Sequence, residues 1–212
     1  TFIFEILKKN INMLKSEKDD LSIGIIKNIQ EHNRLIFPIS NQEILFCKSI
    51  SEPISLLKYL TFRYKFFLAN TKRQVFDAPP YLLIEPVSAC NLRCPMCFQV
   101  DKTFTKKPFM GTMKWDLFTR LIDEADELRI GAVTLASRGE PTMHPKYSEM
   151  LTYVGKKENI FELKTNTNAS YLTEKMCHKI FQAKRTEQRT NRIRTRRQTT
   201  KVESGSEDQD AH

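Results

Sequence analysis

Three cysteines lie close together in this chain, and their spacing is the strongest chemical signal in the sequence. Cys90, Cys94 and Cys97 fall within the segment Cys-Asn-Leu-Arg-Cys-Pro-Met-Cys. Thiolates at this spacing on a short loop can reach three corners of one small cluster, and iron–sulfur cubanes are usually held by four thiolates. Three local thiolates would therefore leave one iron free to bind a further ligand.

Two other interpretations of these thiols stay open at this point. In a structural zinc site, His144, Cys177 or His178 would be the fourth ligand of a tetrahedral ion. Zinc sites commonly use paired Cys-x-x-Cys knuckles, and the sequence has no second knuckle. The thiols could also be buried and free, although their polar and proline neighbours argue against a dry position. Cys47 and Cys177 are interpreted as ordinary thiols.

The cysteine count and the first residues bear on the cellular compartment. An odd number of cysteines, three of them clustered, is not the even and dispersed set of a secreted disulfide scaffold. The apolar N-terminal segment is interrupted by Glu5 and Lys8 and lacks a small-residue cleavage site, so no signal peptide is predicted. No stretch approaches the roughly 20 apolar residues of a membrane helix. We therefore expect a cytoplasmic protein with no membrane association.

Strands and helices alternate around the cysteines, which predicts an α/β fold with a parallel sheet. The predicted strands are the apolar runs YLLIEPV, AVTLAS and IFELKTNT, and helices follow each of them, the last opening near Thr173. Gly131 is expected to be the left-handed cap of the first of these helices. Loops after parallel strands open on one face. The cysteine loop, the RGEP loop and the TNTN segment should therefore meet at one edge.

The chain divides into three regions of different composition. Residues 1–78 predict a small mixed α/β accessory region, with short strands at RLIFPI and EILFC and an amphipathic helix over residues 55–68. Residues 79–183 contain the strand–helix units. Residues 184–212 are basic and then acidic with few large apolar side chains, so they are expected to be disordered.

The net charge of +9 raises the question of nucleic-acid binding, because Lys and Arg contacts to phosphates dominate such affinity. Much of the excess charge lies in residues 184–200, and the chain before them is only mildly basic. Nucleic acid is therefore not the expected partner. Binding through the arginine-rich tail is kept as an alternative function, beside that of a non-catalytic zinc or iron–sulfur module.

The Cys-x-x-x-Cys-x-x-Cys motif after a first strand resembles the signature of the radical S-adenosylmethionine (radical SAM) superfamily. The surrounding sequence, EPVSACNLRCPMCF, is similar to that of the branch with SPASM-type C-terminal domains. Members of that branch modify peptides, proteins and small metabolites. The resemblance covers residues 80–183. It implies an enzyme with a partial (β/α) barrel, a [4Fe–4S] cluster on the three cysteines, S-adenosylmethionine (SAM), and an electron donor such as flavodoxin or ferredoxin.

A second match to the family lies after the second predicted strand. Ser137, Gly139, Glu140 and Pro141 stand where the family places its GGEP motif, with Arg138 in place of the first glycine. The resemblance implies that this loop holds the amino group of SAM, with the Glu140 carboxylate near that ammonium. Such a pairing is chemically reasonable because an ammonium group needs only hydrogen-bond acceptors.

Three more residues are expected by resemblance to contact SAM. Met96 precedes the third cysteine, where the family's residue lies beside the adenine, and a polarizable Met can pack on that ring. Phe98 directly follows the motif. Asn166 belongs to the segment KTNTN, which resembles the family's TNG segment. No catalytic side chain beyond the cluster ligands is expected.

The resemblance also implies a mechanism and a limit. One electron from the cluster would cleave SAM, and the resulting 5′-deoxyadenosyl radical would take a hydrogen atom from a substrate that the sequence does not identify. The family's barrel is larger than three strand–helix units. The third strand is therefore expected to end the sheet as an unpaired edge. Truncation, an alternative reading frame and a gene-prediction error are all kept as explanations of the missing units. The chain, a radical SAM enzyme or a truncated remnant of one, is expected to bind a cluster weakly at best and to have little or no turnover alone.

Overall fold

A computed structural model describes residues 2–183 and 190–195, which form a group of helices followed by one parallel sheet. The helices that precede the sheet are α1 Phe2–Lys9, α2 Ile11–Leu14, α3 Asp20–His32, α4 Asn41–Lys48 and α5 Pro53–Thr71. The elements that follow are β1 Tyr81–Ile84, α6 Trp115–Glu127, β2 Ala132–Leu135, α7 Tyr147–Val154, β3 Glu162–Thr167, α8 Glu174–Ala183 and β4 Thr190–Thr195. No described helix is long and apolar enough to cross a membrane.

The region ahead of the sheet is helical, so the predicted mixed α/β region was wrong for residues 2–78. The predicted strand EILFC lies inside α4, and RLIFPI belongs to no helix or strand. The physical reason is a capping box, in which the Ser40 hydroxyl accepts from the Glu43 N–H while the Glu43 carboxylate accepts from the Ser40 N–H. The predicted helix over residues 55–68 is confirmed within α5.

The sheet has the strand order β1-β2-β3-β4, and every neighbouring pair is parallel. The three predicted strands and the α/β class are therefore confirmed. The predicted unpaired edge on the third strand was wrong, because residues 190–195 pair with β3 along its whole length and are not part of a disordered tail. β-Branched residues in the segment Thr-Asn-Arg-Ile-Arg-Thr favour a strand. The other residues of the expected tail lie outside the described residues.

The two faces of the sheet pack against different helices. On one face Val133, Leu135 and Leu163 join the core formed with α6 and α7. On the other, Ala132 joins the core of the N-terminal helices, together with Phe161 just before β3. Side chains of a strand point alternately to its two faces, so α5 covers the sheet on the face opposite α6 and α7.

The connection from α6 to β2 corrects the expectation for Gly131. Arg129, with a φ of 54°, is the left-handed residue, and the Ile130 N–H donates to the Ala125 carbonyl as in a Schellman cap. Gly131 has no positive φ. Its position instead requires a missing side chain, because a Cβ there would lie 2.1 Å from Cγ of Phe62 on α5.

Gly131→Ala is expected to destabilise the chain by about 1–3 kcal/mol, because Cβ and Cγ of Phe62 lie close to the helix backbone and cannot move aside without shifting α5. Gly24→Ala is the matched control: it lies inside α3 with nothing within 4 Å of the new Cβ, and should stabilise by about 0.5–1 kcal/mol. Urea unfolding followed by circular dichroism measures both. Equal effects of the two substitutions would contradict the close α5–sheet packing.

Candidate functional site

The three cysteines of the motif lie in the long connection between β1 and α6. All three are partly exposed. The Cys97 N–H donates to the Cys94 carbonyl at 2.9 Å, and the Val100 N–H donates to the Cys97 carbonyl at 3.0 Å. Consecutive tight turns therefore fix the spacing of the second and third thiols.

The base of the cysteine loop is closed by hydrogen bonds between its two ends. The Ser88 N–H donates to the Gly111 carbonyl at 2.9 Å, and the Met113 N–H donates to the Pro86 carbonyl at 2.8 Å. The buried Gln99 side chain donates from Nε2 to the Ser88 carbonyl at 2.7 Å. The loop is thus anchored to the end of β1. Gln99 was missed from the sequence because nothing local marks it.

Glu140 connects all three strand-end loops. Its backbone N–H donates to the Ala89 carbonyl in the cysteine loop at 2.8 Å. The residue is 2% exposed, and its carboxylate accepts from the N–H and hydroxyl of Thr142, from the hydroxyl of Thr167 and, at 2.7 Å, from the Asn168 N–H. The structure therefore brings the loops after β1, β2 and β3 together, as the parallel sheet predicted. The contact of this carboxylate with SAM stays a prediction.

The loop after β2 requires a glycine at position 139. A Cβ there would lie 1.8 Å from the Val87 carbonyl oxygen and 2.8 Å from that of Ala89, which are rigid backbone atoms. Ser137 has a φ of 129°, a backbone conformation that favours glycine and costs about 1–3 kcal/mol for other residues. Pro141 begins a short 3₁₀ turn. Close backbone contact thus sets the position of this loop on the cysteine loop.

Arg138 replaces a family glycine, and the structure shows where its side chain goes. The guanidinium binds Glu85, with 2.9 Å from Nε to Oε2 and 2.7 Å from a terminal nitrogen to Oε1. The Arg138 N–H also donates to Glu85, and the Ser88 hydroxyl donates to the same carboxylate. The larger residue is therefore held by the end of β1. Glu85 was missed from the sequence, where its place in the EPV segment after a strand was the only signal.

The two asparagines after β3 take different positions. Asn166 is exposed at the end of the strand. Asn168 contacts the cysteine loop, since its Nδ2 lies 3.0 Å from Oδ1 of Asn91 and 3.9 Å from Sγ of Cys90. Asn168 is therefore a site residue that sequence reasoning missed, although it stands in the same TNTN segment.

Met96 is 85% exposed beside the second and third cysteines. An uncovered thioether at this point can pack on a ligand ring. The backbone of Phe98 begins a short 3₁₀ turn, Phe98–Val100. The Phe98 side chain lies outside the described residues, so its expected contact with SAM stays a prediction.

The two histidines considered as zinc ligands are engaged elsewhere. His144 is buried, with Nε2 3.0 Å from the Met113 carbonyl and Nδ1 accepting from the Lys146 N–H. Both ring nitrogens therefore join backbone groups of two loops. His178, on α8, lies beside Glu174 at 3.6 Å in an exposed position.

The donor set suits a cluster with separate irons. Within residues 2–183 and 190–195 no three His, Cys, Asp or Glu side chains are placed to hold one metal ion. Thiolates in a cubane each bind a different iron, so they need not converge on one point. Cys47 does not compete for this role, because it is fully buried among the N-terminal helices, where burial raises the pKa of its thiol to about 12.

Comparison with known families decides the identity. Residues 84–194, more than half of the chain, match the radical SAM superfamily. The chain belongs to the radical SAM superfamily. The predicted family is therefore confirmed. Members of this superfamily are enzymes that use a [4Fe–4S] cluster and SAM, which are the predicted enzyme class and cofactors. The SPASM-type branch stays a prediction.

Individual radical SAM relatives match part of the chain. It is 35% identical over 101 residues to the tungsten-containing aldehyde ferredoxin oxidoreductase cofactor-modifying protein of Pyrococcus furiosus, a match that covers 47% of this chain and 27% of that protein. The chain thus spans about a quarter of the length of this curated relative.

Two solved structures of BtrN also match the chain. BtrN in complex with AdoMet and 2-DOIA has a TM-score of 0.44 at 20% identity, over 52% of this chain and 43% of that chain. BtrN in an open conformation has a TM-score of 0.42 at 20% identity, over 51% and 48%.

Glu85→Gln is expected to destabilise the chain at neutral pH by about 2 kcal/mol, the usual loss for a charge-assisted hydrogen bond. Burial raises the pKa of Glu85, but hydrogen bonds from Arg138 and Ser88 and the guanidinium charge outweigh it and bring the pKa below its ordinary 4.5. A lowered folded pKa contributes stability that is present above pH 4.5 and is lost as pH falls through the folded value. The variant should therefore lose less stability than the wild type on acidification below pH 4.5.

The measurement is the free energy of unfolding in urea between neutral and acidic pH. Glu124→Gln is the control, because Glu124 forms an exposed pair with Arg120 on α6 and such pairs contribute about 0–1 kcal/mol. If the free energy of unfolding of Glu85→Gln fell with pH as steeply as that of the wild type, Glu85 would not hold Arg138 as the structure indicates.

Proposed function

We propose that Cys90, Cys94 and Cys97 hold a [4Fe–4S] cluster with an open iron for SAM, and that the chain carries the SAM-cleaving part of a radical enzyme. When bound there, the cluster would supply one electron for the cleavage of SAM into methionine and a 5′-deoxyadenosyl radical, which would take a hydrogen atom from substrate. The observation that carries the proposal is that the loops after β1, β2 and β3 meet at Glu140, and that the first of these loops contains the three cysteines.

The residues around the cysteines have separate roles in this proposal. The loop from Ser137 to Pro141 offers backbone carbonyls to the SAM ammonium, which can only donate. Its distance from the cysteines is set by the close contact of Gly139 with the Val87 carbonyl. Met96, exposed beside the thiols, is the proposed contact for the adenine. Asn166 and Phe98 are kept as further SAM contacts.

The Glu140 carboxylate acts in this proposal mainly through its neighbours. Its two oxygens already accept four hydrogen bonds from Thr142, Thr167 and Asn168. It therefore positions the backbone that faces SAM, and any contact with the ammonium adds to these bonds. Asn168 donates its N–H to Glu140, and its side chain is proposed to fix the position of Cys90, which it contacts.

The proposed partners follow from the reaction. A one-electron donor such as flavodoxin or ferredoxin would reduce the cluster, and the substrate is proposed to be a peptide, a protein or a small metabolite. Of the arginine-rich tail that would support nucleic-acid binding, only residues 190–195 are described, and they form β4. No described contact favours that alternative or the zinc module.

Anaerobic reconstitution with iron and sulfide tests the proposal. The wild-type chain should bind about four irons, and SAM should change the electron paramagnetic resonance (EPR) spectrum of the reduced cluster. Cys94→Ala should abolish both results, because it removes one of three ligands. Cys177→Ala, which changes a partly exposed thiol on α8, should preserve both. A wild-type chain without iron, or with a spectrum indifferent to SAM, would overturn the proposal.

A further inference from the structure

One face of the sheet is covered by α5 only near the N-terminal ends of the strands. There Tyr81 and Ala132 contact the helical core. Two residues further along the same face, Leu83 is 55% exposed and the Lys164 side chain is 38% exposed. Asn166 is exposed at the next position. The face is therefore open between α5 and the loops at the carboxyl ends of the strands.

A chain of ionic contacts leads from the helices onto this open face. Arg63 on α5 binds Glu43 on one side and, at 3.2 Å, Glu162 on the other. Glu162 in turn lies 3.1 Å from the ammonium of Lys164. The charges alternate along these four side chains, and Lys164 is the cation at one end, with Glu162 as its anionic neighbour. Its ammonium is also the member of the chain that reaches the open face.

Beside Lys164 lies a buried hydroxyl without a partner. Thr134 is the register neighbour of both Lys164 and Leu83, so its side chain points to the same face. It is 4% exposed, and its hydroxyl has no hydrogen-bond partner within the described part of the chain. A buried hydroxyl left in this state costs about 1–3 kcal/mol, and such exceptions call for an explanation.

We propose that Lys164 and Thr134 form a subsite for an anionic group of the substrate, with Leu83 as its apolar wall. The inference rests on the proposed function, because it places the substrate on the open face below the cysteine loop. An incoming oxyanion would complete the alternation of charges that ends at Lys164 and would accept from the Thr134 hydroxyl. Carboxylate and phosphate share this chemistry.

The position of the subsite also limits the size of the substrate. At a rise of about 3.3 Å per residue, Lys164 lies about 10 Å below Thr167, where β3 ends at the loops. A group anchored at Lys164 therefore lies below the strand-end loops, and the rest of its molecule, or of the peptide side chain that carries it, extends from there to the loops. This favours a compact acidic substrate over the flat backbone of an extended peptide.

The experiment uses the full chain without iron, so its outcome is independent of cluster formation. Lysine is labelled with ¹³C at Cε, and the Lys164 signal is assigned by its loss in Lys164→Met. Succinate and inorganic phosphate are titrated separately at constant ionic strength. Lys179 is the internal control, because it is also 39% exposed and also pairs with one carboxylate, Glu149.

A saturable shift of the Lys164 signal with at least one anion, about tenfold tighter than any effect on Lys179, supports the subsite. Such a ratio corresponds to about 1.4 kcal/mol. Saturation by succinate alone assigns a carboxylate, and saturation by phosphate alone assigns a phosphate. Thr134→Val, which keeps the shape and removes the hydroxyl, should weaken binding several-fold at the Lys164 signal. Lys164→Arg has no such signal and is titrated by calorimetry instead, where it should retain binding.

Linear shifts of equal size at Lys164 and Lys179 with both anions would overturn the proposal, as would binding at the Lys164 signal that is unchanged in Thr134→Val. Thermal unfolding of each variant shows whether it has folded, and Lys164→Arg and Thr134→Val keep the test valid if Lys164→Met does not fold. Absence of anion binding would leave the cluster and SAM assay unaffected, so failure of the subsite and failure of the proposed function are distinguishable.

Discussion

A buried carboxylate is costly unless donors surround it, and the Glu140 carboxylate meets this requirement with groups from two different strand ends. Thr142 lies in its own loop, whereas Thr167 and Asn168 belong to the end of β3. The backbone of the same residue is bonded to Ala89, at the start of the cysteine loop. The relative positions of the three loops therefore depend on one residue, through its carboxylate and its backbone N–H, and the cysteines depend on those loops.

The scaffold beneath the site is set by the contact between α5 and the sheet. Phe62 occupies the space that a side chain at position 131 would fill, and Arg63 reaches Glu162 on β3. Residues 1–78 were expected to be an accessory region of unknown role, and the core formed by their helices includes Ala132 and Phe161. The helices thus form the floor of the open sheet face, which places them within reach of anything that binds there.

Local patterns predicted the parts of the fold that depend on local physics. Apolar runs marked β1, β2 and β3, and cysteine spacing marked the loop. The helix α4 was missed because a capping box outweighed the strand-like composition of EILFC. The strand β4 was missed because pairing with β3, rather than its own apolar content, places it in the sheet.

The site was predictable only where a motif marked it. Glu140 and the cysteines were found by type and spacing. Glu85 and Asn168 were not, since their importance lies in contacts with Arg138 and Cys90, which are distant in the sequence. The unpartnered hydroxyl of Thr134 depends on how the sheet packs, so it could not be predicted from the sequence.

The most direct test of this account is anaerobic reconstitution of Glu140→Gln, with iron content and the SAM response of the EPR spectrum measured beside thermal unfolding. Glutamine has the same shape but places a donor against one of the donors that Glu140 accepts from, at a cost of about 1–3 kcal/mol. The account predicts a folded chain that binds less iron and whose cluster no longer responds to SAM, whereas the exposed Glu158→Gln behaves as wild type. Wild-type iron content and SAM response in Glu140→Gln would contradict it.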